Sequence, residues 1–197
     1  MYVSLNAGIS LIFNHEKIRA FLVKFRSLIC PGFLIILAPQ IQPDLLFSGF
    51  LVSLIGELIQ VWCFATLDKN RTLAVKGPYS LTRNPMYIGR FFLLLGVMLF
   101  IGRVWVIFVF AVLYQFYMIN RVKREETRLK EIFKEEYDSY CSMVNRFAPS
   151  IKQFHLKSLG YFKWSLFFQN KGHWNLAGVL SIYLFFYFYT CANAGFK

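Results

Sequence analysis

Long apolar runs separated by short polar segments dominate this chain of 197 residues. A transmembrane helix needs about 20 mostly apolar residues. Five runs reach or approach that length, and they occupy residues 27–39, 45–67, 85–101, 104–120 and 174–191. The pattern predicts an all-α integral membrane bundle with about five crossings. The fourth run is followed by a charged helix, residues 121 to about 141, which we expect to extend it into the cytoplasm.

The distribution of basic residues predicts how these crossings are oriented. Hydrophobic residues make up 57% of the sequence, yet the formal net charge is +12. A nucleic-acid-binding protein would explain the charge but not the apolar runs, so no nucleic-acid partner is predicted. Nineteen of the 22 Lys and Arg residues lie in the segments 14–26, 68–84 and 121–172. Five crossings place all three segments on one side, which the positive-inside rule makes cytoplasmic.

The polar segment before the third run, RTLAVKGPYSLTRNPMY at residues 71–87, contains two turn signals, Gly77-Pro78 and Asn84-Pro85. We expect Asn84 to cap the following helix with its side chain and Pro85 to occupy the first helical position. The free backbone N–H groups of such a helix start attract anionic groups. The segment therefore predicts a ligand site at the beginning of a buried helix.

Several small or charged residues interrupt the apolar runs. The small ones are predicted to allow close helix packing, a role favoured over a functional one, and they are Gly49, Gly56, Gly89 and Gly96. A carboxyl inside a membrane span is expensive, so Glu57 is expected to have a partner, with Arg90 as the candidate. A catalytic role for Glu57 is the less favoured alternative. The four cysteines and three histidines are scattered, and no metal site is predicted.

The charged helix carries an apolar stripe formed by Val122, Leu129, Ile132, Phe133, Tyr137 and Tyr140. Arg121 and Glu125 are four residues apart and share a face. Glu125 is also four residues before Leu129, which places it on the stripe. The pair has two interpretations, an ion pair on a helix surface or part of a binding site, and periodicity alone favours the ion pair.

Two motifs on either side of a hydrophobic hairpin resemble the isoprenylcysteine carboxyl methyltransferase family. The first is GPYSLTRNPMY, which has the pattern G-x-Y followed by R-H/N-P-x-Y. The second is RVKREETRLKEIFKEEYDSYCSMVNRFAP, with an arginine and paired glutamates before F-x-x-E-Y-x-x-Y and a final R-x-x-P. The resemblance covers residues 57–150, about half of the chain, with the motifs in the family's order.

The resemblance implies an integral membrane enzyme that uses S-adenosylmethionine at the cytoplasmic edge. It implies cofactor contacts at Leu73, Ala74, Tyr79, Asn84, Pro85, Met86, Tyr87 and Glu125. It also implies that Arg121 holds the carboxylate of the substrate. Asn84 stands where the best-studied members have histidine, which removes a titratable group and keeps a hydrogen-bonding one.

These observations predict a single methyltransferase domain over residues 1–197, with its catalytic half at about 57–150. The expected reaction is methyl transfer to a carboxylate of a lipophilic, prenylcysteine-like substrate. Phospholipid N-methylation is the alternative reaction, and a non-enzymatic membrane scaffold or transporter subunit is the alternative of another class. Membrane lipids are expected partners. The acceptor and the oligomeric state are left open by the sequence.

Overall fold

A computed structural model describes residues 20–21, 24–25, 32, 35–69, 71–150 and 156–194 of the chain. These residues form helices, turns and loops, with no β-strand among them, so the predicted all-α class is confirmed. The helices are α1 (Pro43–Phe64), α2 (Pro85–Leu99), α3 (Val104–Met143), α4 (Leu156–Leu159), α5 (Trp164–Gln169) and α6 (Gly172–Ala194). Short 3-10 turns occur at Ala38–Gln40 and Gly77–Ser80.

Four of the five predicted apolar runs form helices near their expected bounds. Among the described residues, three helices are long and apolar enough to cross a membrane, at Pro43–Phe64, Val104–Met143 and Gly172–Asn193, and Pro85–Leu99 is a shorter apolar helix. The first predicted crossing, 27–39, and the basic segment 14–26 lie mostly outside the described residues. The protein is an integral membrane protein by these helices, and the number of crossings stays a prediction.

The closest helix packing in the described structure joins α1 to α2, which run antiparallel. Gly49 lies against Gly96, and Gly56 lies against Gly89, so closely that a Cβ added to any of the four would overlap its neighbours. Between these two contacts the Ser53 hydroxyl donates a 2.6 Å hydrogen bond to the Leu93 carbonyl. The predicted packing role of the glycines is confirmed. We call this contact the glycine seam.

The buried carboxyl of Glu57 has a different partner from the one expected. Both of its oxygens accept hydrogen bonds from the Asn175 amide on α6, at 3.0 and 2.9 Å. The Arg90 guanidinium instead lies over the Tyr87 ring, 5.5 Å from its centroid. The predicted pairing of Glu57 with Arg90 was wrong, because Arg90 points along α2 toward its first turn. Glu57 and Asn175 therefore join α1 to the last helix of the chain.

Helix α3 contains the fourth apolar run and the charged segment, and it spans 40 residues with one kink. It is broken at Lys134, whose φ of 43° and ψ of −118° are not helical. The sequence around it, EIFKEEY, contains neither glycine nor proline, and the expectation of an uninterrupted charged helix was wrong at this residue. The break lies among side chains that line the cavity described below.

The two ends of the helix bundle differ in character. At one end, the turn between α2 and α3 includes Gly102, with φ of +64°, and the Phe100 carbonyl accepts a 2.9 Å hydrogen bond from the Gln42 amide at the start of α1. At the other end, α1 finishes, α2 begins, and the charged half of α3 passes beside the polar loop 65–84. The predicted meeting of the polar loop and the charged helix is confirmed, and the cavity lies there.

Candidate active site

A cavity opens where the polar loop, the start of α2 and the charged half of α3 come together. Its walls include seven of the eight predicted cofactor contacts, Leu73, Ala74, Tyr79, Asn84, Met86, Tyr87 and Glu125. The remaining lining residues are Leu67, Asp68, Thr72, Arg83, Leu129, Phe133, Tyr137 and Tyr140. Pro85 is not among them. It is buried as the first residue of α2, where it shapes the helix start rather than the cavity wall.

The loop keeps its shape because it is tied to α3. Gly77, with φ of +58°, opens the 3-10 turn, and the Ser80 hydroxyl donates a 2.7 Å hydrogen bond to its carbonyl. The Tyr140 hydroxyl donates a 2.7 Å hydrogen bond to the Tyr79 carbonyl. Leu73 packs in one apolar cluster with Tyr137 and Tyr140. These contacts hold Leu73, Ala74 and Tyr79 against the aromatic face of α3.

The Tyr79 side chain is buried in the cavity wall and stays protonated. Burial raises the pKa of the Tyr79 phenol well above its ordinary value, and the neighbouring Cys63 and Glu125 act in the same direction. A phenol in this position remains neutral at physiological pH. Its hydroxyl is hydrogen-bonded to Cys63, and the side chain adds no negative charge to the cavity.

Tyr87 brings together the two residues that the charged helix was predicted to contribute. Its hydroxyl donates a 2.6 Å hydrogen bond to the Glu125 carboxylate, and the Arg121 guanidinium lies beside the same hydroxyl. The Tyr87 backbone is held in turn, because the Tyr114 hydroxyl donates to its carbonyl at 2.7 Å. Arg121 does not line the cavity; it lies one helical turn from Glu125, at the side where α3 enters its apolar half.

The buried stripe of α3 differs from the predicted one. Its buried and half-buried members are Val122, Glu126, Leu129, Phe133, Tyr137 and Tyr140. Ile132, which the sequence pattern included, is 43% exposed. The stripe therefore passes through Glu126, and the placement of Glu125 on it was wrong. Glu125 is exposed and reaches the cavity from its edge.

Sequence reasoning missed Glu126, although it has more polar partners in the structure than Glu125. It is 8% exposed and accepts two hydrogen bonds from Arg146, at 3.2 Å from Nε and 2.5 Å from Nη2. Arg83 lies 3.7 Å from the same carboxylate. Two features of the sequence could have indicated Glu126. It lies four residues after Val122 and three before Leu129, which places it on the apolar stripe, and the R-x-x-P motif offers Arg146 as a partner.

The side chain of Asn84 also departs from its predicted role. Asn84 is the residue before α2, but its side chain makes no capping hydrogen bond. Its Nδ2 donates to Glu126 at 3.1 Å and to the Arg146 carbonyl at 3.3 Å. The capping prediction was wrong, because the two bonds from Nδ2 hold the amide in an orientation in which its oxygen accepts no N–H of the first turn. Pro85 does occupy the first helical position, as predicted.

A segment after α3, residues 144–150, folds back over the loop and is here called the return segment. The Arg83 amide donates to the Asn145 carbonyl at 2.9 Å, and the Ser150 amide donates to the Leu81 carbonyl at 2.7 Å. The Thr82 hydroxyl donates to the Arg146 carbonyl at 3.0 Å. Burial disfavours the charged form of Arg83, but Glu126 and Cys141 raise its pKa overall, so it remains a cation.

Comparison with known families gave a match over slightly less than half of the chain. Residues 46–136 match the family model described as phospholipid methyltransferase (PEMT). The match runs from the second turn of α1 through Glu125 and Glu126 and ends before Tyr137 and the return segment. Comparisons with curated proteins and with solved structures gave no match. Residues 46–136 are thus similar to a family that belongs, with isoprenylcysteine carboxyl methyltransferase, to one superfamily of membrane methyltransferases.

Proposed function

We propose that this protein transfers a methyl group from S-adenosylmethionine to a carboxylate of a lipophilic acceptor at the cytoplasmic face of its membrane. The observation that carries the proposal is the convergence of Arg121 and Glu125 on the Tyr87 hydroxyl at the edge of the cavity. The Glu125 carboxylate suits a cationic methyl donor, and the Arg121 guanidinium suits an anionic acceptor. Residues 1–197 would form one domain for this reaction, with residues 57–150 as its catalytic half.

The donor set of the cavity fits the cofactor. S-adenosylmethionine combines an adenine ring, ribose hydroxyls, a sulfonium and an amino-acid group, and when bound it supplies an electrophilic methyl carbon. Leu73, Phe133 and Tyr137 offer an apolar and aromatic wall for the adenine. Glu125 offers a carboxylate to hydroxyl or ammonium groups. No side chain caps α2; Pro85 has no N–H and the Tyr87 amide donates to the Asn84 carbonyl, so the Met86 amide is the first-turn donor that we assign to the amino-acid carboxylate.

Arg121 suits the acceptor. A carboxylate is ionised at neutral pH and needs no general base before it attacks a methyl carbon. A guanidinium binds it through two parallel hydrogen bonds and so fixes the direction of the attacking oxygen. Positioning of this kind supplies several kcal/mol of a methyl-transfer barrier. An acceptor with an apolar tail would leave its tail in the bilayer beside the apolar half of α3.

Phospholipid N-methylation is the second candidate, because the matching family model is described by that activity. The substrate amine is protonated at neutral pH and must lose a proton before it reacts. The Arg121 cation would repel it in that protonated form. If Glu125 is occupied by the cofactor, the Arg121 cation favours a carboxylate acceptor over an amine.

The product distinguishes the candidates. Purified protein in its native lipids is incubated with methyl-labelled S-adenosylmethionine, and the labelled lipid fraction is treated with base. A carboxyl methyl ester releases labelled methanol, whereas an N-methylated headgroup retains its label. Retained label would overturn the carboxylate proposal. A protein that binds no cofactor in a calorimetric titration would leave the scaffold alternative.

Substitution of Arg121 tests the carboxylate clamp directly. Arg121→Lys keeps the charge but cannot form the bidentate contact, so we expect cofactor binding to persist and most turnover to be lost. Arg121→Ala should lose more, chiefly in kcat/KM for the acceptor. Lys123→Ala removes an exposed cation two residues away and serves as the matched control. Full activity of Arg121→Lys would contradict the clamp and favour N-methylation.

The cytoplasmic orientation is tested by cysteine labelling. Lys76 lies at the cavity end and Arg103 at the opposite end of the bundle, and both are exposed. In a variant without the four native cysteines, Lys76→Cys should react with an impermeant reagent only from the cytoplasmic side. Arg103→Cys should react only from the other side. Labelling of Lys76→Cys from outside intact cells would reverse the proposed topology.

A further inference from the structure

The paired glutamates of α3 face different surroundings. Glu125 is exposed and bonded to Tyr87 at the cavity edge, while Glu126 is buried between α3, the loop and the return segment. The carboxylate of Glu126 is fully engaged by Arg146, Asn84 and Arg83. Glu126 is not among the residues that line the cavity. Its contribution to the site must pass through the groups that it holds.

Asn84 is the one group that Glu126 holds by a hydrogen bond and that also lines the cavity without being charged. Its Nδ2 donates to Glu126 and to the Arg146 carbonyl, which occupies both of its N–H donors. Two directional bonds on one nitrogen define the plane of an amide. The remaining polar atom of the side chain, Oδ1, is left to accept from a donor on the cavity side.

The Arg146 end of this arrangement is anchored independently. The Arg146 carbonyl also accepts from the Thr82 hydroxyl, and on either side of Arg146 the return segment pairs with the backbone of Arg83 and of Leu81. Both oxygens of Glu126 accept hydrogen bonds from Arg146, one from Nε and one from Nη2. This bidentate geometry fixes the relative orientation of the two side chains. The position of the Asn84 amide is therefore set from two sides by one residue of α3 and one of the return segment.

We propose that Glu126 is a positioning residue that, together with Arg146, orients Asn84 so that its amide oxygen accepts a hydrogen bond from the cofactor. This inference rests on the proposed function, since it assigns a partner within the same cavity. It also assigns separate roles to the two adjacent glutamates. Glu125 touches the ligand, and Glu126 acts only through Asn84.

A double-mutant cycle tests whether Glu126 acts through Asn84. Binding of S-adenosylhomocysteine is measured by calorimetry for the wild type, Glu126→Gln, Asn84→Ala and the double variant. Glu126→Gln keeps the size of the side chain but weakens its hold on both partners, and we expect about a tenfold loss of affinity. In the Asn84→Ala background the same substitution should cause no further loss, because the group that it orients is gone.

The outcomes distinguish a positioning role of Glu126 from a purely structural role and from failure of the proposed function. Equal losses in both backgrounds, or no loss in either, would overturn it and leave Glu126 as a purely structural link. A wild type that binds no cofactor would overturn the proposed function itself. Arg146→Lys, on a half-exposed side chain, gives the same test if Glu126→Gln does not fold, because it removes the bidentate geometry and keeps the charge.

The matched control is Asp138→Asn. It removes the exposed 2.9 Å ion pair between Lys130 and Asp138, which lies on the same helix and touches neither the loop nor the return segment. It should leave cofactor affinity unchanged within twofold. A loss of cofactor affinity equal to that of Glu126→Gln would show that any charge change on α3 weakens binding. That result would contradict a positioning role for Glu126.

Discussion

The glycine seam and the cavity end are stabilised by different kinds of contact. The seam joins α1 to α2, and the cavity end joins the loop between these two helices to α3 and the return segment. Along the seam, Gly49 meets Gly96 and Gly56 meets Gly89, with backbone against backbone and a single side-chain hydrogen bond from Ser53. At the cavity end, the contacts are hydrogen bonds and ion pairs between the loop, α3 and the return segment. Close packing therefore stabilises the seam, and hydrogen bonds and ion pairs are the characteristic contacts of the cavity end.

The difference follows from the surroundings of the two regions. Lipid tails are as apolar as leucine, so helices in a bilayer associate through close packing rather than through the hydrophobic effect. Near the membrane surface, water competes for polar groups, and a buried group such as Glu126 must be fully satisfied to remain there. Substitutions in the seam should therefore act on stability, and those at the cavity end on ligand binding.

The largest effect is expected from filling the seam. Gly56→Leu forces α1 and α2 apart, because a Cβ at this position already meets the Leu93 and Gly89 backbones. We expect a loss of more than about 4 kcal/mol in stability, the range of severe overpacking, and little folded protein. Gly178→Leu on α6, where a Cβ meets nothing within 4 Å, should be tolerated. Fluorescence-detected size exclusion and thermal unfolding in detergent would report both.

A smaller effect, confined to ligand binding, is expected at the cavity edge. Glu125→Gln removes a charged acceptor and Tyr87→Phe removes the hydroxyl that orients it, so each should weaken cofactor binding by roughly 1.5–3 kcal/mol. The unfolding temperature should remain close to that of the wild type. Glu131→Gln, an exposed carboxyl on the same helix, is the control. If Glu125→Gln lowers stability instead of affinity, the contrast between the two regions fails.

A third substitution examines the polar contact between α1 and α6. Asn175→Leu leaves the buried Glu57 without its amide donor, and we expect a loss of about 1 kcal/mol, the usual size of such contacts within membranes. Glu57→Leu combined with Asn175→Leu should recover part of that loss, because neither polar group then remains. Unfolding in a denaturing detergent series measures all three. An additive, larger loss in the double variant would contradict the pairing.

The smallest effect is expected at the break in α3. Lys134 has the positive φ that favours glycine, and relief of that strain in Lys134→Gly should offset the usual cost of a helical glycine. The net change should lie within about 0.5 kcal/mol of zero. Glu131→Gly, at a regular helical position one turn earlier, should lose about 1 kcal/mol. Equal losses at both positions would show that Lys134 carries no backbone strain.

Local features of the fold could be predicted because they depend on nearby residues. The bounds of α1, α2 and α6, the turn at Gly102 and the spacing of the seam glycines follow from apolar runs and small residues within one or two helices. Most of the cavity wall also follows, since the motifs that resemble the methyltransferase family lie on the loop and the start of α2. Each of these features is readable in a short stretch of sequence.

Features that join distant residues could not be predicted in the same way. Asn175 is 118 residues from Glu57, and no periodicity connects them. Glu125 and Glu126 are neighbours on a helix, and a stripe that includes Ile132 beside Phe133 is wide enough to admit the wrong one. Asn84 was expected to bond its own helix, and only the position of the return segment shows why it bonds Glu126. Tertiary packing decides all three.

The bond between Glu57 and Asn175 has a consequence for the order in which the protein is assembled. The seam joins residues 49–56 to residues 89–96, so the α1–α2 hairpin can close while the rest of the chain is still being synthesised. Asn175 emerges from the ribosome much later, and until α6 inserts, Glu57 has no amide donor from that helix. The nascent hairpin therefore carries a carboxyl without this hydrogen-bond donor, and such a group is costly in lipid. Insertion of α6 then supplies the two hydrogen bonds from Asn175.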